Sequence, residues 1–200
     1  MKIRKPQPSH HKSSPPYAAI FVGAGLLVLG VVAALLLARP EQAASSTYIS
    51  SVEDDLSIVP APVNFAAPEL TLYDLDGEQA SLADFEGQVV LVNNWATWCP
   101  PCKAEMPTLQ AYYEKHKDQG FLLIGIEAGE PVDEVAQFVE DYKLTFPIWL
   151  DPQNKALSAF HNQNLPSSYV IDRQGTVRLA WVGAISKSIL EKFLTPLLED

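Results

Sequence analysis

The chain has 200 residues, 48% of them hydrophobic, and a formal net charge of −10, a length that suits one domain with appendages. Its first 39 residues hold Lys2, Arg4, Lys5, Lys12 and Arg39 and no acid, which leaves nine basic against all 24 acidic residues in the remainder. An acidic domain of that kind argues against nucleic acid as a partner. The only two cysteines, Cys99 and Cys102, are close neighbours, so no disulfide framework supports the fold and a hydrophobic core must.

Residues 1–16 are basic and rich in Pro and Ser, the composition of a disordered tail. Residues 17–38 carry no charge and include the run FVGAGLLVLGVVAALLLA. At about 1.5 Å per residue a helix of that length covers ~33 Å, enough for a hydrocarbon core of ~30 Å. A cleaved signal peptide has a shorter apolar region and an A-x-A-like site. No convincing site stands near Arg39-Pro40-Glu41, so an uncleaved anchor is the preferred reading. The basic residues before the span place the N-terminus in the cytoplasm. The domain behind it is then expected outside the plasma membrane, in an oxidising compartment on the periplasmic side. Residues 39–60 are small, polar and acidic and read as a tether. The domain is expected over 61–200.

That domain opens with two short strand signals, at 62–65 and 70–73, and Asp76-Gly77 is a hairpin turn signal. Ser81-Leu82-Ala83-Asp84-Phe85 reads as a capped single turn. Val89-Val90-Leu91-Val92 is a β-branched apolar run, the pattern of a strand buried on both faces. Through the loop Asn94-Trp95-Ala96-Thr97-Trp98 it leads to Cys99-Pro100-Pro101-Cys102 and then to residues that favour helix.

A strand feeding a CxxC at a helix start is a redox signature. With Cys99 at the N-cap, unpaired amide N–H groups and the helix dipole favour negative charge on its sulfur. Its thiol pKa falls, which makes Cys99 the attacking thiolate. Pro100 suits the first helical position, and Pro101 removes the next donor, so the Cys102 amide is the nearest one left for the Cys99 sulfur. Cys102 follows one turn in, placed to resolve a mixed disulfide. Half of a zinc site is the weaker alternative, because no second Cys/His pair stands at ligand spacing. A purely structural disulfide would close a longer loop.

The segment from Asn94 to Pro107, NWATWCPPCKAEMP, resembles the active-site segment of thioredoxin-fold thiol–disulfide oxidoreductases. It is most similar to the membrane-tethered TlpA/ResA-type reductases linked to cytochrome c maturation, and the similarity runs from about Ala61 to Asp200. One departure is Asn94, where that family usually has an aromatic residue. The resemblance implies an α/β fold, a thioredoxin-like mixed sheet flanked by helices, with an N-terminal hairpin extension and a central βα insertion.

Further along, the active-site helix should run to about Gln119, with Pro107 kinking it and Gly120 stopping it. Phe121 to Ile126 is a second buried strand. Val132, Val135, Ala136, Phe138, Val139 and Tyr142 recur at helical spacing and predict an amphipathic helix over 131–143. A third strand at 146–150 and a short helix at 155–160 follow, like the family's insertion. Leu165-Pro166 opens an apolar strand. On sequence alone such a proline is ordinarily trans, but the resemblance makes it the family's cis-proline, with Leu165 offering main-chain groups to a substrate. After Arg173-Gln174-Gly175 and a strand at 176–181, one closing helix over 185–198 turns Ile189, Leu190, Phe193, Leu194 and Leu197 inward.

Thioredoxins proper carry a buried acid on the strand before the CxxC. Asn93 holds that place here, and an amide cannot act as a base. Glu105, three residues after Cys102 on one helix face, is the candidate to take the Cys102 proton. The alternative is a surface Glu that complements the helix dipole. Trp95 and Trp98 should both fill volume and wall the site, with Trp98, Pro100, Leu165 and Pro166 as the substrate-binding set. Glu127 and Glu130 flank a strand end and read first as solvated carboxylates; the alternative for Glu127, which follows a buried run, is a covered carboxyl with a raised pKa. His161 is read as a loop imidazole.

The expected activity is reduction of client-protein disulfides by the Cys99/Cys102 pair, without a metal or further cofactor. By resemblance the client is an apocytochrome c or a copper-site protein, and a membrane thiol donor supplies electrons. Two alternatives stay open: a general oxidant or isomerase, and a copper carrier without turnover that would use His161.

Overall fold

A computed structural model describes residues 58–199. The basic tail at 1–16, the anchor expected at 17–38 and most of the linker at 39–60 lie outside the described residues. Among the described residues no helix is long and apolar enough to cross a membrane.

Eight strands form one mixed sheet: β1 (Ala61–Ala66), β2 (Thr71–Asp74), β3 (Gln79–Ser81), β4 (Val89–Trp95), β5 (Phe121–Glu127), β6 (Ile148–Leu150), β7 (Ser167–Ile171) and β8 (Thr176–Val182). Their spatial order is β1-β8-β7-β4-β5-β6-β2-β3. β4, β5 and β6 run parallel, and β7 returns antiparallel to β4. Every residue of β4 and β5 is buried, which is why both read as unbroken apolar runs rather than alternations.

Alternate side chains of β4 enter two different cores. Leu91 and Trp95 join one cluster, and Val90 and Val92 join the other. The first is covered by α1 (Pro100–His116), α2 (Val132–Tyr142), α4 (Lys187–Phe193) and α5 (Thr195–Glu199), through Met106, Leu109, Phe138, Leu190 and Leu198. The second lies under α3 (Lys155–Ala159), the β2–β3 hairpin and the capped 3-10 turn Leu82–Phe85. Asn93 shares the Leu91 and Trp95 face and therefore points at α1.

The structure departs from the sequence reading in four places. The two opening strands separate to opposite ends of the sheet, β1 on β8 and β2 on β6. The third strand begins only at Ile148, because Pro147 has no N–H for the ladder, although its carbonyl accepts from the Gly125 N–H at 2.9 Å. The closing segment is two helices rather than one. Pro196 removes the amide that a continuous helix would direct at Lys192, so α4 stops at Phe193 and Leu197 bonds back only to Leu194. α1 ends at His116 and gives way to a 3-10 turn, Lys117–Gln119, before Gly120 takes φ 72°. α1 itself continues through Pro107.

Candidate active site

β4 ends at Trp95, and a three-residue turn carries the chain to Cys99 at the N-cap of α1. Extended backbone there, φ −87° and ψ 109°, turns the Cys99 side chain back over the helix start. Its sulfur accepts the Cys102 N–H at 3.3 Å, the one donor that Pro100 and Pro101 leave in the first turn. Cys99 and Cys102 are joined as a disulfide with Cα atoms 5.3 Å apart. Cys102 is wholly buried and Cys99 is 3% exposed. Trp98 beside it is 64% exposed, and Pro100 is exposed as well.

The other wall comes from the strand next to β4. The Leu165–Pro166 peptide is cis, and Pro166 immediately precedes β7, whose Ser167 stands opposite Asn94. This register sets the proline loop beside the end of β4, where the chain turns towards Cys99. Gly183 N–H donates to the Pro166 carbonyl at 2.9 Å, which fastens the loop to the end of β8. Asn94 is buried and donates its side-chain amide to Ser167 Oγ at 3.2 Å.

Behind the cysteines lies a buried polar group. Glu105 is 1% exposed, which excludes the surface-dipole reading of its role. Asn93 Nδ2 donates to Glu105 Oε1 at 2.9 Å and also to Ser168 Oγ at 2.9 Å. The Ile185 N–H donates to Glu105 Oε2 at 3.2 Å. Burial outweighs these donors and pushes the Glu105 carboxyl up to about 8. An acid with that value is matched to a cysteine thiol, whose unperturbed pKa is about 8.5.

Three side chains differ from expectation. Trp95 is fully buried against Phe138, with ring centroids 4.8 Å apart, so it belongs to the core and only Trp98 faces outward. Glu127 is also fully buried rather than solvated. Its position in β5 sets it beside Trp95 of β4 and Leu150 of β6, so the buried run before it, the ground for the covered alternative, extends to the last residue of the strand. Glu130 reaches Thr97, accepting from both its backbone N–H and its hydroxyl; Thr97 had no separate signal in the sequence. His161 is exposed in a left-handed turn after α3. Among the described residues no group of three or more His, Cys, Asp or Glu side chains is gathered to hold a metal ion.

A cysteine pair at a helix N-terminus, faced by a cis-proline on a mixed sheet, defines a thioredoxin-like thiol–disulfide oxidoreductase. The AhpC/TSA family model matches residues 63–180, and the chain belongs to that family. It is 38% identical over 132 residues to the thiol-disulfide oxidoreductase ResA of Geobacillus kaustophilus, covering 66% of this chain and 76% of the relative. The ResA of Halalkalibacterium halodurans is 34% identical over 159 residues, 80% of this chain and 89% of that protein. Among solved structures, a thiol:disulfide interchange protein of the thioredoxin family from Chlorobium tepidum superposes with a TM-score of 0.62 at 27% identity, covering 69% of this chain and 99% of that one. StoA from Bacillus subtilis gives 0.54 at 26% identity, over 67% and 98% of the two chains.

Proposed function

We propose that this protein is a reductase of client-protein disulfides, held at the plasma membrane by residues 17–38 with its catalytic domain on the outer, periplasmic side. The Cys99 thiolate attacks a client disulfide, forming a mixed disulfide and releasing one client thiolate. Cys102 gives up its proton to the ionised form of Glu105 and attacks the Cys99 sulfur. The Cys99–Cys102 disulfide forms and the second client thiolate leaves, so the client gains two electrons and the pair loses two. A membrane thiol donor returns them, and the cycle uses no group besides the cysteine pair. Trp98, Pro100 and Pro166 supply the apolar wall for an extended client segment, and the Leu165 main chain supplies polar contacts. The ResA-type resemblance favours an apocytochrome c CxxCH segment or a copper-site protein as client.

The observation that carries the direction is the poverty of donors at the Cys99 sulfur, which receives a single main-chain N–H, from Cys102. Strong oxidants owe their potential to a well-stabilised thiolate in the reduced form. Here two prolines remove donors and a buried acid stands one turn behind, so the thiolate is stabilised less and the dithiol is the better reductant. The test mixes the reduced domain with a disulfide-bonded CxxCH peptide. Transfer of two electrons to the peptide supports the reading, while preferential oxidation of the reduced peptide by the disulfide form refutes it. For location, the full-length chain should resist carbonate extraction and Cys99 should react only with reagents added outside. A soluble shortened form would contradict the anchor.

A further inference from the structure

Outside the cysteine pair, the Glu105 group and the Asn94–Ser167 contact, a further set of partly buried polar contacts reaches the redox centre. It runs from the end of β5 through the turn 128–130 to the loop before Cys99. Glu127 accepts the Gly129 N–H at 3.1 Å and the Glu130 N–H at 3.1 Å on its own carboxyl oxygens. That curls the turn so that the Glu130 side chain reaches back across the strand ends, where Thr97 N–H donates to Glu130 Oε2 at 2.5 Å and Thr97 Oγ1 donates to Oε1. The Ala128 N–H donates to the Trp95 carbonyl at 3.0 Å and ties the same turn to the end of β4.

We propose that Glu127 is a positioning residue for the redox centre: its buried carboxyl shapes the 128–130 turn so that Glu130 grips Thr97, two residues before Cys99. The proposal rests only on the exchange chemistry of Cys99 and Cys102, whichever way electrons flow. A threonine bonded at both its amide and its hydroxyl has little freedom, so the backbone leading into the N-cap is held from one side by Glu130. The Cys99 N–H also donates to the Ala96 carbonyl at 3.2 Å, which closes the turn that contains Thr97.

The grip is sensitive to protonation because of what surrounds it. Burial, foremost, and the Glu130 carboxyl beside it push Glu127 up to about 7, against the opposing backbone donors. From β4 the facing side chain is Trp95, and from β6 it is Leu150, both uncharged. Asp151 follows β6, but its carboxylate is turned to the Lys155 and Ala156 N–H groups at the start of α3. Asp133 and Glu134 open α2 and are exposed. Among the described residues neither Glu127 nor Glu130 takes part in a salt bridge. Ionising Glu127 therefore sets its charge against that of Glu130 with no cation to relieve it. Glu130 moves out towards solvent, Thr97 is released, and the covered Cys99 sulfur becomes easier to reach.

The test uses the domain in its disulfide state. Glu127 carboxyl carbon and Thr97 amide resonances are followed together by NMR, and the rate of disulfide reduction by dithiothreitol is measured against pH. In wild type the two resonances should move with one common midpoint. Glu127→Gln, which keeps the shape and the neutral form, should abolish the Thr97 titration. The wild-type to variant ratio of reduction rates, in which the reagent's own ionisation cancels, should rise by about tenfold between the two ends of the titration, the opening that loss of a charge-assisted hydrogen bond allows. A Thr97 amide that stays still while Glu127 titrates overturns the proposal, as does an unchanged Thr97 titration in Glu127→Gln. If that variant does not fold, the wild-type pair of midpoints decides alone, and unequal midpoints refute it.

Discussion

Asn93 Nδ2 lies 2.9 Å from Glu105 Oε1, so the amide on the central strand and the acid on the active-site helix form one buried pair. The strand position that holds an acid in thioredoxins proper thus holds here a donor that orients an acid supplied by the helix. The carboxyl is one helical turn beyond Cys102, and i and i+3 positions share a helix face. The proton-accepting role assigned to Glu105 makes Glu105→Gln slow the second step, resolution of the mixed disulfide, as pH rises to about 8 and above, where the carboxyl is ionised and can take a proton. Above about pH 8, where Glu105 is ionised, the same change should lower the cysteine titrations by removing a negative charge. Stopped-flow resolution rates and thiol titrations that match wild type would send the proton directly to solvent.

Glu105 also links stability to pH, and the sign follows from its protons. Its folded value of about 8 lies above the carboxylate reference of 4.5, so between those limits the folded state holds a proton that the unfolded chain has released. Stability is full below the lower limit and falls as pH rises through the window. The loss for so buried a group is on the order of a few kcal/mol. Glu105→Gln should flatten that fall, measured by urea unfolding at a series of pH values. An equally steep fall in the variant would assign the linkage to another group.

The two cysteines should behave differently when trapped. Cys99 keeps a trace of exposure beside Trp98 and Pro100, whereas Cys102 has none. Cys102→Ser should therefore accumulate mixed disulfides with clients and Cys99→Ser almost none, as read on non-reducing gels. Equal trapping would reverse the assignment of the nucleophile.

Much of this was legible in the chain. The uninterrupted run Val89 to Val92 announces a doubly buried strand, and the prolines after Cys99 announce a helix start, because both signals are local. The rest depended on contacts far apart in sequence. Nothing in Ala61 to Ala66 says that it pairs with β8 while the next strand goes to the other edge. The burial of Glu127 follows from neighbours on β4 and β6, and the Glu130–Thr97 contact spans 33 positions. Ser168 and the Ile185 amide reach the Glu105 group only because β7 lies on β4 and α4 starts nearby.

Trp98 offers its ring to solvent, so its removal should cost little stability, within about 0.5 kcal/mol. Loss of an apolar anchor at a docking surface costs about 1–2 kcal/mol of binding, roughly tenfold. Trp98→Ala should then lower kcat/KM for a protein client about tenfold with the melting temperature unchanged. An unaltered kcat/KM would remove Trp98 from the docking wall.

Gly125 is the tight point of β5. A Cβ there would meet Ile148 Cδ1 at 2.9 Å, Phe146 Cε2 at 3.0 Å and Trp95 Nε1 at 3.0 Å. Overpacking of this kind costs about 1–3 kcal/mol, and the displaced Trp95 ends the strand that leads to Cys99. Gly125→Ala should lower the unfolding free energy by that amount and shift the denaturation midpoint down accordingly. A midpoint equal to wild type would mean that the three side chains yield freely.

The reduction potential of the Cys99–Cys102 pair tests the central claim most directly, by equilibration with dithiothreitol or glutathione and counting of free thiols. Thioredoxin lies near −270 mV and the strong oxidant DsbA near −120 mV. With one main-chain donor at the Cys99 sulfur and a buried acid behind it, the pair should lie below about −200 mV, on the reductant side of that range. A value near −120 mV would contradict the account and make the protein an oxidant of its clients.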